Sequence, residues 1–183
     1  AAVVVAVTGT VGGDRQGVWD KLDYLQGLGV EALYFNPLFV SPSNHKYDCQ
    51  DYEHIDPHLT VIKNDGGCVL SDKCIDNMQA SKYIARTANL ENLEASNEFF
   101  AKFCEELHRR GMKIIIDGVF NHSGSFNKWM DRERIYEGQE GFAKGAYVEK
   151  ESPYHTFYQF NHHDEWPYNS SYDGWWSNDT LPK

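Results

Sequence analysis

The stretch IIIDGVFNHSG, residues 114–124, passes from three isoleucines to a carboxylate, an amide and an imidazole within a few positions. A β-branched apolar run is typical of a strand buried on both faces of a parallel sheet. Loops at the carboxyl ends of parallel strands converge and form ligand sites, so we expect Asp117, Asn121 and His122 to lie at a binding mouth. Asp117 taken alone is equally compatible with a residue that caps the turn after the strand.

Segments with strand character alternate with segments of helical spacing along the first two thirds of the chain. Apolar runs predict strands at 1–7, 30–36 and 112–116, and apolar residues three or four positions apart predict helices over 18–28 and 96–110. This order predicts two βαβ crossovers, which stack parallel strands beneath a helical layer. The sequence therefore predicts an α/β fold.

The ends of these helices are indicated by single residues. Gly29 and Gly111 stand where a glycine commonly ends a helix, and Ser96 stands where an N-cap residue is common. Between Pro37 and Ser96, nearly sixty residues show no strong periodicity. A loop of this length is usually functional or disordered, so we expect this one to form a wall of the site.

Composition excludes several classes of partner. The 183-residue chain is 41% hydrophobic, which suits a globular core, and its 27 acidic and 17 basic residues give a formal charge of −10. No basic stripe is present that would neutralise a phosphate backbone, so we expect no nucleic acid partner. The longest apolar run, residues 1–7, is far shorter than the roughly 20 residues of a membrane span. No charged leader precedes it, and localisation stays open between cytoplasmic and secreted.

Cysteines and adjacent histidines suggest two further sites, each with an ordinary alternative. Cys68 and Cys74 have a C-x5-C spacing that suits a small disulfide loop and is not a usual zinc signature. Adjacent histidines such as His162 and His163 rarely chelate one ion together, so we expect no metal there. Asp164 and Glu165 follow them, but carboxylates that are neighbours in sequence usually point apart.

Two segments rich in aromatic residues are candidate carbohydrate surfaces. Residues 44–52 alternate polar and aromatic groups, with His45 and Tyr47 among them, and residues 154–176 contain most of the tryptophans. Aromatic faces supply apolar area to a sugar ring while their polar tips stay solvated. The alternatives are a solvated surface turn for the first segment and ordinary core filling for the second.

Residues 12–59 and 95–124 closely resemble the front half of the catalytic barrel of the alpha-amylase family of glycoside hydrolases, above all its neopullulanase, cyclomaltodextrinase and maltogenic amylase branch. The resemblance implies a (β/α)8 TIM barrel, of which residues 1–118 would form roughly the first three β/α units. Residues 119–183 would be the small protruding domain inserted after the third strand and leading towards the fourth. The opening run AAVVVAVTGT does not match the family's first strand.

The resemblance also implies roles for individual residues. His122 would hydrogen-bond the sugar in the central subsite, Tyr47 would stack on that sugar, and Asp117 would hold the local architecture. Asp48 would be the polar neighbour of Tyr47 at the base of the pocket, and His45 joins these substrate-binding candidates. Asn121 matches a calcium ligand of many amylases, but this branch often lacks that site, so we expect no required cofactor and only possible calcium.

The implied function is hydrolysis of α-1,4 and possibly α-1,6 glucosidic bonds in starch, maltodextrin or cyclodextrin by a retaining mechanism with two carboxylates. The resemblance places the reacting carboxylates at the ends of later strands, beyond Lys183, so we expect no catalytic residue within these 183 residues. The chain alone is then expected to be inactive and unstable, with an α-glucan and the remainder of the barrel as partners. Alternatives are a non-catalytic sugar- or partner-binding relic of the fold and an α-glucan transglycosylase.

Overall fold

A computed structural model describes residues 4–7, 15–68, 81–161 and 166–183, with only the backbone described in 4–7, 15 and 16. The described strands, in chain order, are β1 Val4–Val7, β2 Ala32–Phe35, β3 Phe39–Val40, β4 Asp51–Ile55, β5 Lys113–Ile116, β6 Gly174–Trp175 and β7 Asn178–Pro182. The described helices are α1 Arg15–Trp19, α2 Leu22–Gly27, α3 Ser81–Thr87 and α4 Leu90–Arg109, with 3₁₀ turns at Pro57–Leu59 and His155–Phe157.

The centre of the fold is a parallel sheet in the order β1, β2, β5. The register pairs Ala32 of β2 with Val4 on one side and with Lys113 on the other, so all three strands end at the same edge. This arrangement confirms the three predicted strands, including the first, and the two βαβ crossovers. Leu33 and Phe35 of the middle strand are fully buried because both of its neighbours and the helical layer cover them.

One predicted helix is interrupted. The single helix expected over 18–28 is wrong, because α1 ends at Trp19 and α2 begins at Leu22. The backbone N–H of Lys21 donates to the carbonyl of Val18, an i to i−3 bond of 3.0 Å that breaks the α-helical ladder. Gly29 follows α2 with a φ of +79°, which confirms it as the residue that ends this helix.

Helix α4 begins earlier than expected. Ser96 is not its N-cap: the cap is Asn89, whose side chain accepts a hydrogen bond from the backbone N–H of Asn92 at 3.1 Å. Ser96 lies in the buried face of the helix and donates its hydroxyl to the carbonyl of Ile55 at 2.7 Å. Gly111, with a φ of +72°, follows the C-terminal end as predicted.

The core lies between α4 and the sheet. Phe103 of α4 makes an edge contact with Phe35 of β2, with ring centroids 6.1 Å apart, and a tilted contact with Trp19 at 5.6 Å. The other buried members of this cluster are Leu22, Val30, Leu33, Leu38, Ile55, Leu59, Leu107 and Met112. Burial of each large aliphatic or aromatic side chain contributes about 1.5–3 kcal/mol, so α4 is the main support of the sheet.

Strand β5 is not buried on both faces, which corrects the expectation drawn from its three isoleucines. Ile114 packs against the core, whereas Ile115 and Ile116 are 45% and 38% exposed. The physical reason is position, since β5 pairs only with β2 and forms an edge of the described sheet. The apolar composition that predicted double burial is present, but no described element covers the outer side.

The long segment before α4 is structured, contrary to the absence of a periodic signal. Strands β3 and β4 form a short antiparallel pair with an irregular register, and α3 follows the undescribed residues 69–80. A buried network holds α3 to this pair: the side chain of Gln50 accepts from Tyr83 at 2.7 Å and donates to Thr87 and to Tyr136. Cys68 is exposed and carries no disulfide, while Cys74 lies outside the described residues.

The last third of the chain packs around its own apolar cluster, formed by Met130, Ala146, Tyr158 and Phe160. Part of the aromatic-rich segment 154–176 is therefore core, which was the alternative to a carbohydrate surface. Backbone bonds join this region to the segment before β4, from Gly124 to Cys49 at 3.0 Å and from Lys128 to Gln50 at 2.9 Å.

The histidine and carboxylate pairs at 162–165 lie outside the described residues. None of the helices in the described ranges combines the length and the apolar character that crossing a bilayer requires.

Candidate functional site

Asp117 emerges where β5 ends, and it holds Tyr47 beside the sheet. Its backbone N–H donates to the carbonyl of Phe35 at 2.9 Å, which continues the parallel ladder by one residue. Its carboxylate accepts a hydrogen bond from the Tyr47 hydroxyl at 2.5 Å. That bond raises the pKa of Tyr47 to about 12, and burial together with Asp117 also raises the pKa of Tyr34 on β2. Both phenols therefore stay protonated at neutral pH and present donors.

His122 lies against the same loop. Its Nε2–H donates to the backbone carbonyl of Tyr47 at 2.9 Å, and its Nδ1 accepts from the side-chain amide of Asn121 at 2.6 Å. A hydrogen on Nε2 and a lone pair on Nδ1 satisfy both of these partners. The structure thus brings together Tyr47, Asp117, Asn121 and His122 at one end of the sheet, although they come from two loops about seventy residues apart.

The two other predicted residues sit differently. The ring of His45 stacks beside that of Tyr47, with centroids 6.1 Å apart and planes at 24°, and its Nδ1 accepts from the backbone N–H of Tyr47. The Oδ1 atom of Asp48 accepts from the hydroxyls of Ser41, at 2.7 Å, and Ser43. Asp48 therefore shapes the loop that carries Tyr47, while His45 extends its aromatic surface.

A buried ionic cluster that sequence reasoning missed fixes the position of Tyr47. Asp56 is fully buried and accepts from the Lys46 ammonium at 2.6 Å and from Nδ1–H of His58 at 2.9 Å. Although burial works against ionisation, these partners lower the pKa of Asp56 to about 2. Lys46 has a left-handed backbone with φ of +62°, so this ion pair holds a strained residue next to Tyr47. No local pattern signals a pairing across ten positions.

A second cluster of the same kind joins the last third of the chain to the site. Asp51, also fully buried, accepts from Nδ1–H of His54 at 2.7 Å and from the Lys128 ammonium at 2.9 Å. Lys128 also contacts Glu53 at 2.6 Å. Burial opposes ionisation of Asp51, yet the histidine and lysine lower its pKa overall. The carboxylate therefore stays charged and ties β4 to the loop after His122.

An aromatic cavity of about 290 Å³ opens beside His122. Tyr52 donates its hydroxyl to the backbone carbonyl of His122 at 2.7 Å and stacks on Trp129, with centroids 5.3 Å apart and planes at 20°. Phe157 meets Trp129 edge to face at 5.3 Å. Other lining residues are Val119, Phe120, Asn121, Ser123, Tyr158, Pro182 and Lys183. The aromatic-rich segment thus contributes to a surface near the mouth as well as to core.

The described residues do not assemble a metal site. Within the described ranges, no group of three or more His, Cys, Asp or Glu side chains has an arrangement that would hold a metal ion. Asn121 would supply a single amide oxygen, and its amide nitrogen is bound to His122. Calcium takes six to eight oxygen ligands, so these residues alone do not fit it.

Comparison with known proteins identifies the family. The model of the alpha-amylase catalytic domain matches residues 5–64 and 81–181. An amylopullulanase of Thermoanaerobacter thermohydrosulfuricus is 33% identical over 177 residues, covering 93% of this chain and 9% of that protein. Neopullulanase 2 of Thermoactinomyces vulgaris is 34% identical over 142 residues, covering 78% of this chain and 18% of that protein. The chain therefore spans only a small part of the curated relatives that it matches.

A solved structure, a debranching enzyme from Nostoc punctiforme, superposes with a TM-score of 0.60 at 24% identity, covering all of this chain and 35% of that one. With the family match, this similarity confirms the predicted (β/α)8 fold class. The names of the relatives also agree with the predicted neopullulanase-like branch. The chain therefore belongs to the family of alpha-amylase catalytic domains.

Proposed function

We propose that the protein containing this chain hydrolyses α-1,4, and also α-1,6, glucosidic bonds of starch, maltodextrin or cyclodextrin. Residues 1–118 would be the first part of the (β/α)8 barrel, and residues 119–183 the small domain beside its mouth. The reacting carboxylates of the retaining mechanism would stand on later strands. The described residues would bind and orient the sugar.

The observation that carries this proposal is that Tyr47 contacts both His122 and Asp117. The Nε2 atom of His122 lies 2.9 Å from the Tyr47 carbonyl, and Asp117 fixes the Tyr47 hydroxyl. One glucose unit placed there would contact an aromatic face and an imidazole donor together. A neutral polyhydroxylated ligand requires an aromatic ring to stack on, with hydrogen-bond donors and acceptors around it.

Each residue has a distinct part in the proposed step. Tyr47 and His45 would supply the stacking surface, and Asp117 would keep the Tyr47 ring in place through its hydroxyl. His122 would donate its Nε2–H to a sugar hydroxyl, either sharing that proton with the Tyr47 carbonyl or releasing the carbonyl. A hydrogen bond that becomes stronger as charge develops on the sugar lowers the free energy of the transition state for bond cleavage. It changes the free energy of substrate binding in the ground state by a smaller amount.

Substitution of His122 tests the proposal. In the whole enzyme, His122→Ala removes this donor, so kcat/KM on maltotriose should fall about 100-fold, by analogy with loss of one preorganised transition-state donor. The matched control is His108→Ala, because His108 is an exposed histidine of α4 on the surface of the helical layer. We expect its kcat/KM to equal that of the wild type.

The assay separates the alternatives as well. Unchanged kcat/KM in His122→Ala, with thermal unfolding like that of the wild type, would remove the proposed role of His122. A wild-type protein that binds maltotriose but releases no shorter sugar would favour the non-catalytic relic. Chromatography of the products would identify a transglycosylase by the appearance of chains longer than the substrate.

A further inference from the structure

A row of rings leads outward from His122. The ring of Trp175 lies beside that of His122, with centroids 6.0 Å apart and planes at 30°. Trp176 stacks on Trp175 at 5.7 Å and 19°. Trp175 is half-buried by this packing, whereas Trp176 is 87% exposed. The outer end of the row is therefore an indole open to solvent, in continuity with the candidate site.

The hairpin that carries the two tryptophans is firmly attached to the loop of His122. The backbone N–H of Ser123 donates to the carbonyl of Pro182 at 3.0 Å, and that of Ser125 donates to the carbonyl of Thr180 at 2.9 Å. The Arg132 guanidinium donates to the carbonyl of Asp179 at 2.9 Å. These bonds place β7 next to the residue that follows His122, so the indoles are held at a defined distance from the mouth.

The local backbone at the tip is an unfavourable place for a bulky exposed side chain. Trp176 and Ser177 have φ values of +51° and +61°, which hairpin turns usually assign to Asn and Gly. A tryptophan in this region adds backbone strain to the cost of an apolar ring in water. A small polar residue at position 176 would stabilise the fold better than tryptophan does, which indicates that the indole serves binding.

The chemistry around the tip selects the class of ligand. Asp173 and Asp179 flank the tryptophans, and the whole chain carries a net charge of −10, which disfavours phosphorylated or sulfated sugars. Among the described residues, no acceptor is bound to the indole N–H of Trp175 or Trp176, so each can donate to a hydroxyl. An aromatic face with free polar edges suits a neutral, polyhydroxylated ring.

We propose that Trp176 is a stacking platform for a glucosyl unit of a longer α-glucan, outside the subsite at Tyr47 and His122. This inference rests on the proposed function and adds to it a preference for chain length. Short substrates occupy only the subsite at Tyr47 and His122, whereas longer substrates also contact the exposed indole of Trp176. The platform improves binding of long chains because it is already held in place by the hairpin.

The test compares long and short substrates in the whole enzyme. Trp176→Ala should reduce kcat/KM on maltoheptaose about fivefold more than on maltotriose, the effect expected of one lost stacking contact. Trp176→Phe, which keeps a flat ring, should restore most of the difference. Tyr24→Ala is the control, because Tyr24 is an aromatic residue of α2 that is 65% exposed and absent from both surfaces. We expect it to leave the ratio of the two substrates as in the wild type.

Equal losses on both substrates, or no loss, would overturn the platform. Calorimetric titration with maltoheptaose judges it independently of hydrolysis. If the wild type hydrolyses nothing but binds maltoheptaose, the proposed function fails, and weaker binding by Trp176→Ala still supports the platform. If neither protein binds the sugar, both proposals fail. Equal quenching of wild-type and Trp176→Phe fluorescence by iodide would show that the rest of the protein covers Trp176, which also overturns it.

Discussion

Asp131 illustrates how one residue of the last third of the chain carries a pH dependence. It is fully buried, has a left-handed backbone with φ of +50°, and accepts from the backbone N–H of Tyr136 at 3.1 Å. Burial raises its pKa to about 7, with backbone donors from Tyr136 and Ile135 opposing and the carboxylates of Glu137 and Glu133 reinforcing the shift. The folded protein thus holds this proton more tightly than the unfolded chain does.

The sign of the effect follows from this difference. A carboxyl group whose pKa is raised by folding contributes stability fully below about pH 4, and the contribution is lost as the pH rises through about 7. Asp131→Asn keeps an oxygen acceptor and tolerates the left-handed backbone, but it does not titrate. We therefore expect the variant to gain stability relative to the wild type between pH 5 and pH 8, on the order of a few kcal/mol.

Urea unfolding at several pH values measures this difference. Glu94→Gln is the matched control, because Glu94 is an exposed carboxyl on α4. We expect the wild type and the Glu94→Gln variant to follow the same pH profile. Parallel profiles for the wild type and Asp131→Asn would contradict the raised pKa of Asp131.

The positions of residues could be predicted from the sequence where a motif is contiguous, and could not where two partners are distant in sequence. Asp117, Asn121 and His122 follow one strand, so a sequence pattern places them at one edge of the sheet. The ion pair of Lys46 with Asp56 spans ten positions and leaves no periodic trace, although it fixes the loop beside the site. Buried charges reveal their partners only once the chain has folded around them.

Elements show the same division. Gly29 and Gly111 end their helices as predicted, because a left-handed C-terminal residue is a local requirement. Strand β4 was missed because its outer edge is satisfied by side chains of α4: Asn97 accepts from the backbone N–H of Ile55, and Ser96 donates to its carbonyl. Such support depends on residues some forty positions away.

The start of α4 gives a prediction at this scale. Asn89→Ala removes the side-chain acceptor for the backbone N–H of Asn92, so the free energy of unfolding should fall by about 1 kcal/mol. Asn89→Asp keeps the acceptor and adds a negative charge at the helix N-terminus, so it should be nearly neutral. Thermal and urea unfolding of the three proteins measure both effects. Equal stability of Asn89→Ala and the wild type would mean that the helix gains nothing from this cap.

At the scale of the whole molecule, the described sheet has two open edges, at β1 and β5. The sequence predicted this outcome through the family resemblance, since a parallel sheet of three strands lacks the cover that a closed barrel supplies. The three isoleucines of β5 by themselves predicted the opposite, namely a strand buried on both faces. Burial is a property of the assembled fold, and an apolar run shows only that cover is required.

The exposed edge predicts how the 183-residue chain behaves when it is produced alone. Unpaired backbone groups of β5 beside Ile115 and Ile116 form a template for a second strand, so the chain should associate with rising concentration and bind the dye ANS. Ile115→Lys places a charge at this edge and should reduce both signals, whereas Tyr24→Lys, at an exposed position of α2 outside the sheet, should not. Sedimentation velocity and ANS fluorescence measure the two effects. Equal reductions by both lysine variants would show that added charge alone suppresses association, and that β5 is not the contact.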